Sequence, residues 1–179
     1  MRIFYLLFSS FYFFLPAFFA NLGAGISGVL PFIKNFKTPV DFGKKMKGKP
    51  IFGSHKTWRG IFVGLIFGMG ISFFQKFLYQ YPFFQRYSLL NYEKINIFLF
   101  GFLLSFGALF GDLFFSFIKR RKGLVEGTRW IPFDQINFVL GAFVFSNFYV
   151  KLPLEIWIVI IFISFPLHIF FNHLGFWLK

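Results

Sequence analysis

The sequence predicts an all-α integral membrane protein: a bundle of five transmembrane helices in one domain, 1–179, with a polar site at the cytoplasmic face. Three observations predict it. The 179-residue chain is 57% hydrophobic, 26% aromatic and only 14% charged, with a mean hydropathy of +0.67, a balance foreign to soluble domains of this length. Its apolar runs are continuous, with glycines at helical spacing, and approach the roughly 20 residues a helix needs to cross a bilayer; barrel strands would alternate in polarity. Its basic residues gather in the loops between those runs.

The first span, 3–30, carries PAFFAN at 16–21. Pro16 lacks the amide hydrogen a helix interior needs, so a kink or break is expected there, with Asn21 just beyond it as a buried amide. That amide is suited to hydrogen-bonding either a facing helix or a nucleotide. The run is too long for a cleavable signal, and no small-residue cleavage site leads into a soluble body, so the span is expected to remain.

The following loop, 34–59, holds Asp41 and eight of the 19 Lys and Arg residues, interrupted by Gly43, Gly48 and Gly53. It lacks a GxxxxGK[ST] pattern, which excludes an ATPase P-loop. Lys56 and Arg59, one turn apart, are suited either to gripping a phosphate or to anchoring in lipid headgroups. Thr57 reads as a helix-start residue and Trp58 as an interfacial anchor. The second span, 60–75, carries Gly60, Gly64 and Gly68, and the third, 95–118, carries Gly107 and Gly111; both stripes read as close helix packing.

The loop 119–133 holds five more basic residues and leads to the fourth span, 134–150, and the fifth, 154–174. His168 and His173 are not at i, i+4 spacing and read as interface residues. The 36 Phe residues fill lipid-facing and packing positions. The positive-inside rule puts both basic loops, and Lys179, in the cytoplasm, and an odd number of spans puts the amino terminus outside.

The formal charge of +13 is grouped at membrane edges with no soluble domain to carry it. Anionic lipid or phosphate, not nucleic acid, is the expected partner. The chain has no Cys, which excludes disulfides, a thiolate nucleophile and thiolate metal sites.

The chemistry is expected where acids enter the apolar runs, because an ionisable group within a span is costly and marks a functional site by default. Asp112, Ser116 and Lys119, at i, i+4 and i+7, share one helix face, and Asp112 lies about 10 Å from the basic helix end. It must meet a cation, a partner or water. The structural alternative is a pair between Asp112 and Lys119 or Arg120 that only holds helices together. Lys119–Lys122 alone would serve as a membrane anchor, and Asp134 alone as a cap on the exposed amides of the fourth span. Asn137 lies one turn beyond Asp134. Two aspartates among many Lys and Arg resemble a site for Mg²⁺ and phosphate, since Mg²⁺ commonly takes one or two carboxylates plus phosphate and water oxygens. Such a site supports phosphoryl or nucleotidyl transfer without a covalent nucleophile.

PAFFAN at 16–21, PVDFG at 39–43, KTWRG at 56–60, GDLFFSFIKRR at 111–121 and PFDQIN at 132–137 together resemble the CDP-archaeol synthases, the membrane cytidylyltransferases of archaeal ether-lipid synthesis, which are related to the CDP-diacylglycerol synthases. The resemblance covers nearly the whole chain. It implies a five-span fold and the reaction of CTP with an anionic isoprenoid glycerophosphate lipid, bis-geranylgeranyl-glycerol phosphate, to give CDP-archaeol and pyrophosphate with Mg²⁺. The lipid phosphate would attack the α-phosphorus in line. Carried over by motif, Asp112 and Asp134 would hold the metal, and Lys119, Arg120, Lys56 and Arg59 would neutralise the triphosphate. Asn21 and Asp41 would shape the nucleotide pocket, with Ser116 and Asn137 completing the substrate-binding set. One departure is visible: relatives often have a further Asp where this chain has Asn137.

Two other readings stand beside this one. A CDP-diacylglycerol synthase acting on phosphatidate would differ only in its lipid. A small membrane transporter would also embed acids, but nearer the midplane of paired repeats.

Overall fold

The computed structural model describes residues 2–177, with side chains from 3 to 167; the side chains of His168, His173 and Lys179 lie outside the described residues. The order is α1 (Arg2–Ile26), a small hairpin of β1 (Lys45–Met46) and β2 (Lys49–Pro50), then α2 (Trp58–Leu78), α3 (Pro82–Tyr87), α4 (Ile97–Arg121), α5 (Phe133–Ser146) and α6 (Leu154–Trp177). Among the described residues three helices, α1, α2 and α4, are long and apolar enough to cross a membrane. Phe133–Ser146 and Leu154–Leu167 are shorter apolar helices. The expected fourth span is shortened because α5 ends in a turn at Asn147, whose Nδ2 donates to the Phe143 carbonyl at 3.0 Å.

Of the kink or break that the sequence suggests at Pro16, a break does not occur, and α1 runs on to Ile26. Proline removes the donor to the carbonyl four residues earlier, which is Tyr12. Gln75 of α2, almost fully buried, donates its side-chain amide to that Tyr12 carbonyl. A polar residue from the neighbouring helix thus repairs the ladder where no water is available. Tyr12 returns a contact through its hydroxyl, which donates to the Gln75 carbonyl at 3.4 Å.

The ends are made as their sequences suggest. Thr57 caps α2 by accepting the Gly60 amide at 3.2 Å, and Asn96 caps α4 by accepting the Leu99 amide at 3.1 Å. Lys119, Arg120 and Arg121 occupy the last turn of α4, where positive charge complements the helix dipole.

Small residues bring the helices together. A Cβ added to Gly64 would stand 2.6 Å from the Ala20 carbonyl oxygen of α1, and one added to Gly68 would stand 2.7 Å from the Pro16 carbonyl oxygen. At the crossing of α4 and α5 a Cβ on Gly107 would lie 2.7 Å from the Gly141 carbonyl oxygen. Gly111 likewise abuts the Asn137 carbonyl. Backbone meets backbone here, as in close membrane-helix crossings. Around this frame Phe13, Phe14, Phe100, Phe138 and Trp157 form a buried aromatic core, with Phe13 and Phe14 centroids 5.8 and 6.0 Å from Trp157.

Candidate functional site

The loop from α1 to α2 is built around Asp41. Its buried carboxylate accepts hydrogen bonds from the backbone amides of Phe52 at 2.9 Å, Gly43 at 3.0 Å and Gly53 at 3.3 Å. Burial pushes the Asp41 carboxyl up, but these three hydrogen bonds outweigh it and hold it below its ordinary value. Asp41 therefore shapes the loop from within. The segment before it zips against the start of α2 through Val40 N to the Lys56 carbonyl at 2.8 Å and Trp58 N to the Thr38 carbonyl at 3.1 Å.

That zipper aims Lys56 across to α4. Lys56 Nζ stands 2.5 Å from Asp112 Oδ2, with the two side chains 27% and 23% exposed. Asn137 of α5 donates its Nδ2 to the other Asp112 oxygen at 3.2 Å, which follows from the Gly111–Asn137 backbone contact one residue earlier. The pair within α4 that the sequence offered as an alternative, Asp112 with Lys119 or Arg120, does not form. Lys119 lies about 10 Å farther along the axis and turns to α5 instead.

There Lys119 Nζ donates to both Asp134 oxygens at 3.0 Å and to the Thr128 carbonyl at 2.7 Å. Asp134 also accepts the Trp130 amide at 2.8 Å. It thus secures the chain just before α5 as well as sitting in its first turn. The structure thereby joins Lys56, Asp112 and Asn137 in one group and Lys119 and Asp134 in a second, both on α4.

The other sequence-selected residues lie as follows. Ser116 is buried and donates to the Asp112 carbonyl at 2.8 Å. Arg120 is buried on the last turn of α4, and its Nε has no hydrogen-bond partner among the described residues. Arg59 donates to the Lys34 carbonyl at 2.6 Å, and its buried Nε is also unpartnered among the described residues. Asn21 is half-buried on α1, and no side-chain hydrogen bond joins it to the two groups among the described residues.

Sequence reasoning missed two residues that tie the loops together. Arg121 donates to the carbonyls of Met46, Lys49 and Pro50, and so fastens the hairpin to α4. Glu126 accepts from Ser54 and lies 3.7 Å from His55 Nε2. Its hydrogen bonds from the Ser54 hydroxyl, ahead of any effect of burial, hold its carboxyl below the ordinary value. Its signal was present in the sequence, since Glu126 is the lone acid in a basic loop.

Asp112, Asp134 and the Asn137 side-chain oxygen are hard oxygen donors. Among the described residues no group of three or more His, Asp or Glu forms a complete metal cage. Each of the two acids is partly exposed and fits a cation that takes its remaining ligands from phosphate and water, whereas the Asn137 side-chain oxygen already accepts the Phe138 amide at 2.6 Å. Between α1 and α6 an open apolar groove of about 530 Å³ is lined by Leu7, Phe11, Phe162, Ile163, Pro166 and Leu167. A smaller hollow continues it past Leu15 and Phe18 to Leu22.

The chain also matches known proteins in sequence and in fold. Residues 3–179 match the family model described as CarS-like, CDP-archaeol synthase. The CDP-archaeol synthase of Pyrococcus furiosus is 40% identical over 139 residues, covering 76% of this chain and 73% of that protein. The CDP-archaeol synthase of Sulfurisphaera tokodaii is 35% identical over 180 residues, covering 99% and 95%. The corresponding protein of Methanococcoides burtonii is 36% identical over 174 residues, covering 92% and 95%. A solved structure of an intramembrane enzyme for archaeal membrane lipids biosynthesis superposes with a TM-score of 0.72 at 24% identity, covering 90% of this chain and 91% of that one, and shares the fold.

Proposed function

The chain belongs to the CarS-like family of CDP-archaeol synthases, and from that premise we propose that it transfers CMP from CTP to an archaeal glycerol-phosphate ether lipid. The products are CDP-archaeol and pyrophosphate. The protein is a multi-pass membrane enzyme of phospholipid biosynthesis. Neither the phosphatidate-specific version of the reaction nor a transporter is favoured by these relatives.

One observation carries the site assignment: two partly buried aspartates on adjacent helices, Asp112 and Asp134, are each matched by a lysine delivered from another segment, at 2.5 and 3.0 Å. The pairing stores two anionic and two cationic groups where the protein meets water, and both kinds are what a nucleoside triphosphate and its counter-ion require. Asp112 and Asp134 would hold Mg²⁺, with Asn137 steadying Asp112 through its side-chain nitrogen. When bound, such an ion neutralises phosphate oxygens and orients the triphosphate.

The remaining work falls to this chain's own groups. Lys56 and Lys119, each with three donors, bind phosphate oxygens, and Arg120 and Arg59 supply further positive charge. An oxygen of the lipid phosphate forms the new bond to the α-phosphorus, while the bond from that phosphorus to the pyrophosphate oxygen breaks. No general base is needed, because the nucleophile is already an anion. Charge accumulating on pyrophosphate is met by the same Lys and Arg groups.

The whole chain acts as a single domain, 1–179. Helices α5 and α6 supply the fourth and fifth crossings. The loops 34–59 and 119–133 and the carboxyl end face the cytoplasm, and the amino end lies outside, as the distribution of Lys and Arg requires. The groove between α1 and α6 takes isoprenoid chains of the geranylgeranyl type, leaving the headgroup at the polar end. The experiment is to incubate purified protein with labelled CTP, Mg²⁺ and either unsaturated archaetidic acid or phosphatidic acid. Labelled CDP-lipid from the ether lipid, lost in Asp112→Asn and Asp134→Asn, is expected. Product from phosphatidic acid alone would overturn the lipid assignment, and unchanged activity in both variants would overturn the site.

A further inference from the structure

A second contact between the two basic loops lies outside that machinery. The Glu126 carboxylate accepts the Ser54 amide at 3.1 and 3.2 Å and the Ser54 hydroxyl at 2.7 Å. The backbone is shaped for it: Gly53 has φ +109°, and a Cβ there would stand 2.8 Å from Glu126 Oε1. Both side-chain and main-chain donors of one residue are thus spent on this carboxylate. Two residues after Ser54 comes Lys56, hydrogen-bonded to Asp112 at 2.5 Å. On the other strand of the contact, Glu126 lies between Lys119 and Asp134, which are themselves paired at 3.0 Å. A negative charge beside a binding site for a polyanion opposes binding, so its presence calls for a compensating role.

We infer that Glu126 is a positioning residue for nucleotide binding: its carboxylate latches the 119–133 loop to Ser54 and so holds Lys56 and Lys119 at the spacing that the CTP phosphates need. This rests on the reading of those lysines given above. The latch is separable from the fold of the loops. Asp41 still organises residues 41–53 from within, and Arg121 still fastens the hairpin through three carbonyls. Loss of Glu126 therefore loosens the approach to Lys56 without releasing the rest of the loop.

The test uses the full chain in detergent and combines steady-state kinetics in CTP with hydrogen exchange. Glu126→Ala is expected to raise KM for CTP about tenfold while kcat stays within about twofold, the scale set by losing charge-assisted hydrogen bonds. Amides 53–57 should exchange faster, with the melting temperature little changed. Glu126→Gln removes the charge but keeps an acceptor for Ser54; it should give an intermediate KM, and it keeps the test decisive if the alanine variant does not fold. A KM that falls in Glu126→Gln would overturn the inference, because charge alone would then matter. Released amides with an unchanged KM would overturn it equally. Lys56→Ala distinguishes the two levels: if that variant binds CTP normally, the assignment of the lysines fails instead of the latch.

Discussion

Gly111→Ala tests whether the α4–α5 crossing sets the geometry of the site. A Cβ at Gly111 would press on the Asn137 carbonyl and stand 3.0 Å from both the Cα and the nitrogen of Gly141. Carbon atoms pack at about 3.5–4.0 Å, so α5 must move away from α4 by something near an ångström. Overpacking of this kind costs about 1–3 kcal/mol. The displaced residues are Asn137, which reaches Asp112 at 3.2 Å, and Asp134, which holds Lys119 at 3.0 Å. A misplacement of about 1 Å at reacting groups costs on the order of 10²-fold in rate. Loss of activity is therefore expected to exceed what the stability loss explains. The assay is CDP-lipid formation together with thermal unfolding of the same preparation. Gly70→Ala is the control, since a Cβ there meets nothing within 4 Å and alanine favours the helix. Near-normal activity in Gly111→Ala with an unchanged melting temperature would refute the reasoning.

Other consequences can be measured separately. A double-mutant cycle on Lys56→Met and Asp112→Asn should give a coupling energy of about 1 kcal/mol in denaturant unfolding, the low end for contacting pairs because both groups are partly exposed; zero coupling would mean the pair does not form. Asp41 has a folded pKa below its ordinary value of 3.8, so its contribution to stability is full above that value and fades as pH falls through the folded pKa. Asp41→Asn should therefore melt lower than the parent at neutral pH, and the two curves should converge on acidification below about pH 4; a difference that persists in acid would contradict this. Asn137→Asp adds a hard anionic ligand beside Asp112, and should lower the Mg²⁺ concentration needed for half-maximal turnover. An unchanged Mg²⁺ dependence would remove residue 137 from the ion's surroundings.

The class of fold was legible because membrane helices are written locally, in runs of apolar residues that need no knowledge of their partners. The glycine stripes were legible for the same reason, and Gly64, Gly68, Gly107 and Gly111 all lie against neighbouring backbone. The partners themselves were not. Nothing in the spacing of Asp112 to its neighbours on α4 indicates Lys56, which arrives from 56 positions away along the chain. Pro16 suggested a broken helix because the residue that repairs it, Gln75, belongs to another span. The hairpin escaped notice because its two-residue turn puts Lys47 at φ +52° ahead of Gly48 at φ +77°, a Lys-Gly pair in place of the Asn-Gly or Asp-Gly that signals such a turn. Asp41 was expected to help shape a nucleotide pocket, and its carboxylate is used by the loop's own amides.

The position of the two ion pairs follows from a conflict between burial and binding. An aspartate at mid-span would need a permanent partner and would be unavailable to a soluble nucleotide. An aspartate wholly in water would be screened and would fix nothing. Asp112, just past the middle of α4, and Asp134, in the first turn of α5, avoid both extremes by staying partly exposed, 23% and 22%, with their lysines supplied from α2's approach and from the last turn of α4. Each lysine is held by backbone that is itself pinned, Lys56 by the zipper to Val40 and Lys119 by the Thr128 carbonyl. Lys119 thus has a second partner in the Thr128 carbonyl besides its carboxylate, while the Lys56 ammonium is directed at Asp112 by its backbone. That is the electrical arrangement a membrane enzyme needs if CTP is to come from water and its acceptor from the bilayer.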